Sequence, residues 1–256
     1  MTTLNEGKPL QKISIELVPR DRDALQQEMQ LVRDNFPAIA TINIPDLLKF
    51  PLRSWQACCQ AKQLFSQAIP HLRAIDFDLG KPFPLVETFA QHGIDSVLII
   101  AGDQPQDMSR RVFRTSSVEL IRAIRLQMPH LKIYAGIDPY RSGIKTELDY
   151  IKRKIDAGAD GFFTQPFFDM RLLEIYYDLL PGVEIFWGVS PVMSLRSKDY
   201  WDNLNNAIFP PDFAPTLAWN RRFARQVLEF ADKTDSSLYF MPIRVDLVEY
   251  LRDLLP

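Results

Sequence analysis

Glu16 sits in the run Ser14-Ile15-Glu16-Leu17-Val18-Pro19, a carboxylate among β-branched and apolar neighbours. Such a group is costly to desolvate without a partner. It is therefore either half of a structural ion pair or a general acid whose pKa burial has raised. Asp103, after Gly102, also reads two ways, as a turn cap or as a site carboxylate. Glu16, Asp76, Asp103 and Asp138 together form a weakly specified magnesium set. His71 reads equally as a satisfied histidine or as a site residue, whereas His92 and His130 stand beside helix ends. Schiff-base chemistry needs a desolvated lysine, and no expected strand closes on one; Lys132 opens its strand instead. There is no HxH, HExxH or cysteine cluster for zinc, and the adjacent Cys58 and Cys59 make neither an ordinary disulfide nor a metal site.

These residues fall at the ends of short β-branched or aromatic runs, at 13–18, 38–44, 71–77, 96–101, 132–137, 161–168, 183–189 and 238–243. Between the runs lie stretches with apolar spacing near 3.6, for example 22–36, 116–128, 145–157 and 221–233. Gly93 and Gly158 each end a helix and lead into the next strand. Eight alternating strand–helix units predict a parallel sheet closed into a single-domain (β/α)8 barrel spanning 1–256, with chemistry at the carboxyl ends of its strands. An open doubly wound sheet usually brings a glycine-rich first turn; here the first strand runs into Pro19-Arg20-Asp21. Residues 205–220 exceed the needs of a loop, with Pro210, Pro211 and Pro215 among Phe209, Phe213 and Trp219. They read as an extension packed over the rim or against another subunit, or as a stiff connector.

The chain has 256 residues, 46% of them hydrophobic and 24% charged, which suits one domain with a sizeable core. A formal charge of −2 provides no positive field for nucleic acid or an anionic membrane. The opening residues lack an apolar signal core and no later run is long enough to span a bilayer, so a cytoplasmic location is expected.

Several strings together resemble the methylenetetrahydrofolate reductase family. The most specific is YIKRKIDAGADGFFTQPFFD at 150–169. Pro70-His71-Leu72, Gly102-Asp103-Gln104-Pro105, the SxELIRxI helix at 117–124, Gly188-Val189-Ser190-Pro191-Val192 and the Glu16 strand follow in the family's order. The resemblance implies FAD, NADH or NADPH as co-substrate, and a folate-type substrate whose methylene bridge is reduced. It implies Glu16 as general acid to the folate, Asp103 near the flavin and the pterin, and Gln165 against the folate. Asn43, His71, Asp103, Gly136 and Lys154 fall at flavin-side positions, and Ser116 and Ser117 open a helix whose N–H groups favour phosphate. Trp201 or Tyr200 falls where the family places an aromatic near the nicotinamide and the folate tail. The resemblance also implies hydride passing from nicotinamide to flavin and then to the pterin.

The departures lie in the site. Ala101 stands for the family's arginine, Asn43-Ile44-Pro45 for Thr-Tyr-Gly, and Ile137-Asp138-Pro139 for Tyr-Pro-Glu. Likewise Pro242-Ile243-Arg244 stands for Thr-Leu-Asn, and Arg73 for a threonine. They leave open a divergent folate enzyme, demethylation-linked or using reduced nicotinamide without flavin, and a non-catalytic folate-binding barrel. Apolar residues at 205–219 make a homo-oligomer a further expectation.

Overall fold

Strands and helices alternate through the computed structural model, which describes residues 13–104 and 111–255. The strands are β1 Ile13–Glu16, β2 Thr41–Ile44, β3 Gln67–Arg73, β4 Ser96–Ile100, β5 Lys132–Ile137, β6 Gly161–Pro166, β7 Ile185–Val189 and β8 Ser237–Phe240. Each pairs parallel with the next, and β8 closes on β1, which gives the expected (β/α)8 barrel. The helices are α1 Arg22–Asn35, α2 Ser54–Ala61, α3 Val86–His92, α4 Ser117–Gln127, α5 Ile144–Ala157, α6 Met170–Leu179, α7 Leu195–Asp199, α8 Leu217–Lys233 and α9 Leu247–Leu251. Residues 1–12 and Pro105 of the Gly-Asp-Gln-Pro string lie outside the described residues.

Local chemistry sets the helix ends. The Asp21 carboxylate accepts from Ala24 N and starts α1, whose buried Leu25, Met29 and Val32 repeat at helical spacing. Ser116 and Glu119 form a capping box on α4. Gly93 and Gly158 close α3 and α5 at φ 65° and 112°, a region costly to any residue with a Cβ.

Alternation along the strands makes two shells. Ile13, Ile15, Ile42, Val97, Ile99, Ile133, Trp187 and Phe240 face outward and fill the layer beneath the helices. The interior holds a second cluster of Ile69, Leu98, Tyr134, Phe163, Phe186, Tyr239 and Met241. Its rings interlock: Phe163 stacks on Phe186 at 4.2 Å, and Tyr134 and Tyr239 meet Phe163 edge-on at 5.1 and 5.2 Å.

One strand differs from the sequence expectation. The third occupies Gln67–Arg73, so His71 lies near its carboxyl end instead of opening it, and Ala74–Asp76 is a 3-10 turn. The polar Gln67 masks the strand's start, and Ile75 and Phe77 lengthen its apparent β run. In the 205–220 stretch, Phe209 stacks on Phe168 at 4.5 Å and Phe213 meets Trp219 at 4.7 Å. Phe209 and Phe213 join Tyr140, Phe168, Val192 and Trp201 over the ends of β6 and β7, and Trp219 belongs to the main core, so these rings do not form an outward face. Among the described residues no helix is long and apolar enough to cross a membrane.

Candidate active site

Ser14 and Glu16 alternate inward on β1, and closure brings β8 alongside them, with Ser14 in register with Tyr239. The Tyr239 hydroxyl donates to Glu16 Oε2. Glu16 is buried, and burial pushes its carboxyl up to about 7 against the opposing effect of the Tyr239 bond. Among the described residues no cation pairs with it, so the ion-pair alternative finds no partner. A carboxyl that holds its proton close to neutrality suits a general acid.

A second network crosses β1, β2 and β3. Asn43 Nδ2 donates to Ser14 Oγ at 2.8 Å, while its Oδ1 lies 2.9 Å from His71 Nε2. Burial lowers the His71 imidazole to about 3, with Asp46 opposing, so the ring is neutral and can donate Nε2–H to Asn43. The Ser54 hydroxyl bonds the His71 carbonyl at 2.6 Å.

Beside this network runs a ladder of alternating charge. Asp46 is buried and accepts from Ser54 N at 3.1 Å and from Arg53 Nε at 2.8 Å. Arg53 also donates to Asp76 at 2.7 Å, and Asp76 lies 3.9 Å from Arg73. The Arg73 guanidinium donates to the Asp103 carbonyl, and its side chain lies over Gly102, where a Cβ would meet Arg73 Cβ and Nε at 2.9 Å. Gly102 is thus required by close approach as well as by its φ of 85°.

The other candidates are spread around the same end. The β6–β7 register shifts between Phe163 and Pro166, and this bulge leaves Gln165 exposed between buried Thr164 and Pro166. Asp103 is exposed on the β4–α4 connection. Asp138 bonds Tyr140 N at 3.0 Å. Asp76 is held by Arg53 and Glu16 by Tyr239, and among the described residues no three carboxylates, histidines or cysteines gather as a metal site. Lys154 is buried under Tyr150, its ammonium 4.1 Å from the ring centroid, and donates to the Gly136 carbonyl. Burial brings it down to about 8 despite Glu147. Ser116 spends its hydroxyl on the Glu119 cap, and Ser117 is buried. Trp201, 8% exposed, packs on Phe168 at 5.5 Å inside the rim cluster; neighbouring Tyr200 is 53% exposed. A cleft of about 890 Å³ opens at the opposite, amino end of the barrel, lined by Gln67, Lys132, Tyr134 and Glu184, away from these groups.

The model of methylenetetrahydrofolate reductase matches residues 51–222. The chain belongs to the methylenetetrahydrofolate reductase family. The 5,10-methylenetetrahydrofolate reductase of Pectobacterium carotovorum subsp. carotovorum is 26% identical over 149 residues, covering 56% of this chain and 50% of that one. The Escherichia coli (strain K12) enzyme of the same name is 25% identical with the same coverage. The chain therefore spans about half the length of the curated relatives it matches. Among solved structures, oxaloacetate acetylhydrolase in complex with 3,3-difluorooxalacetate superposes with a TM-score of 0.56 at 11% identity, covering 92% of this chain and 76% of that one. That likeness is one of fold alone.

For a member of the methylenetetrahydrofolate reductase family, a resident flavin is the cofactor to test against these residues. Its expected contacts are already engaged: Asn43 with Ser14 and His71, Lys154 with Gly136, and Ser116 with Glu119. Among the described residues, buried side-chain atoms without partners are Glu28 Oε2, Gln60 Oε1, Trp219 Nε1 and Tyr250 OH, on α1, α2, α8 and α9. None belongs to the flavin-side set. With Arg73 closed over Gly102, these side chains, bonded as they are, do not fit a flavin's ring.

Sequence reasoning missed Tyr239, Asp46 and Arg53. For Tyr239 a signal existed, since Ser237, Tyr239 and Met241 share one face by alternation and barrel closure sets that face beside Glu16. Nothing in the sequence linked Asp46 with Asp76 through Arg53.

Proposed function

We propose that this chain reduces the methylene bridge of a 5,10-methylenetetrahydrofolate-type pterin to a methyl group, with NADH or NADPH as the source of hydride. The observation that carries this reading is the buried Glu16 carboxyl at the end of β1, raised to about 7 in a chain of this family. Protonation by Glu16 lets the bridge nitrogen leave with the electron pair of its bond to the methylene carbon. The iminium that remains accepts hydride at that carbon and becomes the methyl. Exposed Gln165 and Asp103 supply an amide and a carboxylate for the polar edges of the pterin. His71, held neutral, orients Asn43 and takes no part as an acid.

FAD, as a hydride relay between nicotinamide and pterin, is what membership of the family leads one to expect. The engaged contacts of Asn43, Lys154 and Ser116 favour a second reading, direct hydride transfer from reduced nicotinamide.

The test compares wild type with Glu16→Gln, following conversion of methylene- to methyl-tetrahydrofolate with NADH and with NADPH, with and without added FAD. We expect Glu16→Gln to keep its near-ultraviolet circular dichroism and to lose about 10²–10⁴-fold in rate. Equal rates in the two proteins would end the acid role. A purified protein with a flavin spectrum bleached by reduced nicotinamide restores the relay. A colourless, active protein that cannot be reconstituted supports direct transfer.

A further inference from the structure

We propose that Tyr239 is the positioning residue of Glu16: its hydroxyl, carried on β8 across the seam where the barrel closes, holds the carboxyl in one orientation and sets the pH at which its proton leaves. This deepens the proposed role of Glu16 as acid and rests on it.

The hydroxyl is fixed from below. The Tyr239 ring meets Phe163 edge-on at 5.2 Å, Phe163 stacks on Phe186 with 9° between planes, and Tyr134 closes on both at 5.1 and 5.5 Å. A phenol offers few rotamers, and this aromatic floor leaves it little room to swing. The hydroxyl therefore reaches Glu16 as a preorganised donor.

The surroundings contain no rival. From β2 the facing group is Asn43, neutral and committed to Ser14 and His71. From β3 it is His71, also neutral, and beyond it Arg73, which lies by Asp76. Leu98, Phe163 and Phe186 bring no charge from β4, β6 and β7. Tyr134 turns its hydroxyl the other way, to Glu184 at 3.0 Å. On β1, the next inward residue is Ser14. Among the described residues, Tyr239 is thus the polar group that meets the Glu16 carboxyl. Its bond favours the ionised form, while burial favours the protonated one. The balance leaves a proton that is held near neutrality yet can be given up in a fixed direction.

The experiment uses protein labelled with ¹³C at glutamate carboxyls, with Glu16→Gln to assign the Glu16 signal. Tyr239→Phe removes the donor, and a ring-fluorinated tyrosine at position 239 strengthens it without changing its shape. We expect the Glu16 titration to rise by about one pH unit in Tyr239→Phe and to fall in the fluorinated protein, since a hydrogen bond to a charged group carries that much weight. The alkaline limb of pterin reduction should move with it, and kcat should fall about tenfold in Tyr239→Phe from lost orientation. An unchanged Glu16 titration in both variants overturns the proposal, even if activity falls. A titration that moves as expected in a protein that reduces no pterin upholds the Tyr239 assignment and overturns the proposed reaction.

Discussion

Gly188 on β7 and Thr164 on β6 approach so closely that a Cβ on the glycine would stand 2.5 Å from the Thr164 carbonyl oxygen. Met241 Cε and the Gln165 carbonyl would lie at 2.8 and 3.0 Å. The contact falls at the bulge that leaves Gln165 exposed, and Gly188 N donates to Thr164 Oγ1 at 2.8 Å across it.

Gly188→Ala should therefore destabilise the protein by about 1–3 kcal/mol, because two backbones must part. It should also weaken any ligand that Gln165 holds. The urea midpoint measures the first effect, and a midpoint equal to wild type would refute the close approach.

Two buried groups set opposing pH slopes. The Glu16 carboxyl is raised from 4.5 to about 7 on folding, so its stabilising contribution is complete below 4.5 and is lost as pH rises through 7. Glu28, also raised to about 7, acts in the same direction. His71 is lowered from 6.5 to about 3, so its contribution is complete above 6.5 and is lost as pH falls through 3. Stability should peak between these limbs. Glu16→Gln should flatten the alkaline limb, by on the order of 3 kcal/mol, and His71→Asn the acid limb. Unfolding free energies from urea titrations at pH 4, 5.5, 7 and 8 check both; an alkaline limb as steep in Glu16→Gln as in wild type, or an acid limb as steep in His71→Asn, refutes the assignment.

Trp201 and Tyr200 are adjacent but should behave differently. Trp201→Ala opens the cluster of Phe168, Tyr140 and Val192 and should cost about 3–5 kcal/mol. Tyr200→Ala should change stability by less than about 0.5 kcal/mol. If an aromatic at this rim stacks on a ligand, the exposed Tyr200 is the one able to do so, and only Tyr200→Ala should weaken binding in a stable protein. Equal losses of stability in the two variants would contradict the placement.

The barrel was legible because apolar spacing switches between strand and helix periods along the chain, and two helices close on glycine. Gly93 and Gly158 are local signals that need no tertiary information. Glu16 was legible for a related reason, a charge in a β-branched run being a local anomaly. Its partner depends on which strand lies beside β1, a consequence of closure. The third strand slipped because Gln67 breaks the apolar start, whereas Ile75 and Phe77 extend the run beyond its true end. The bonds of Lys154 to the Gly136 carbonyl and of the Ser116 hydroxyl to Glu119 form only in the folded chain, so their commitment is not written in the sequence. Trp201 carries the same ring whether it faces ligand or core, and only packing distinguishes the two.

The ladder from Asp46 through Arg53 and Asp76 to Arg73, with Arg73 anchored on the Asp103 carbonyl, ties the start of α2, the turn after β3 and the β4–α4 connection into one collar. Such a collar transmits load. A substitution at one end is felt at the other, so changes at Ser54 and at Gly102 should not add, although they sit on different loops. Through these contacts, what happens at Asp46 bears on Asp103 across three connections of the barrel mouth.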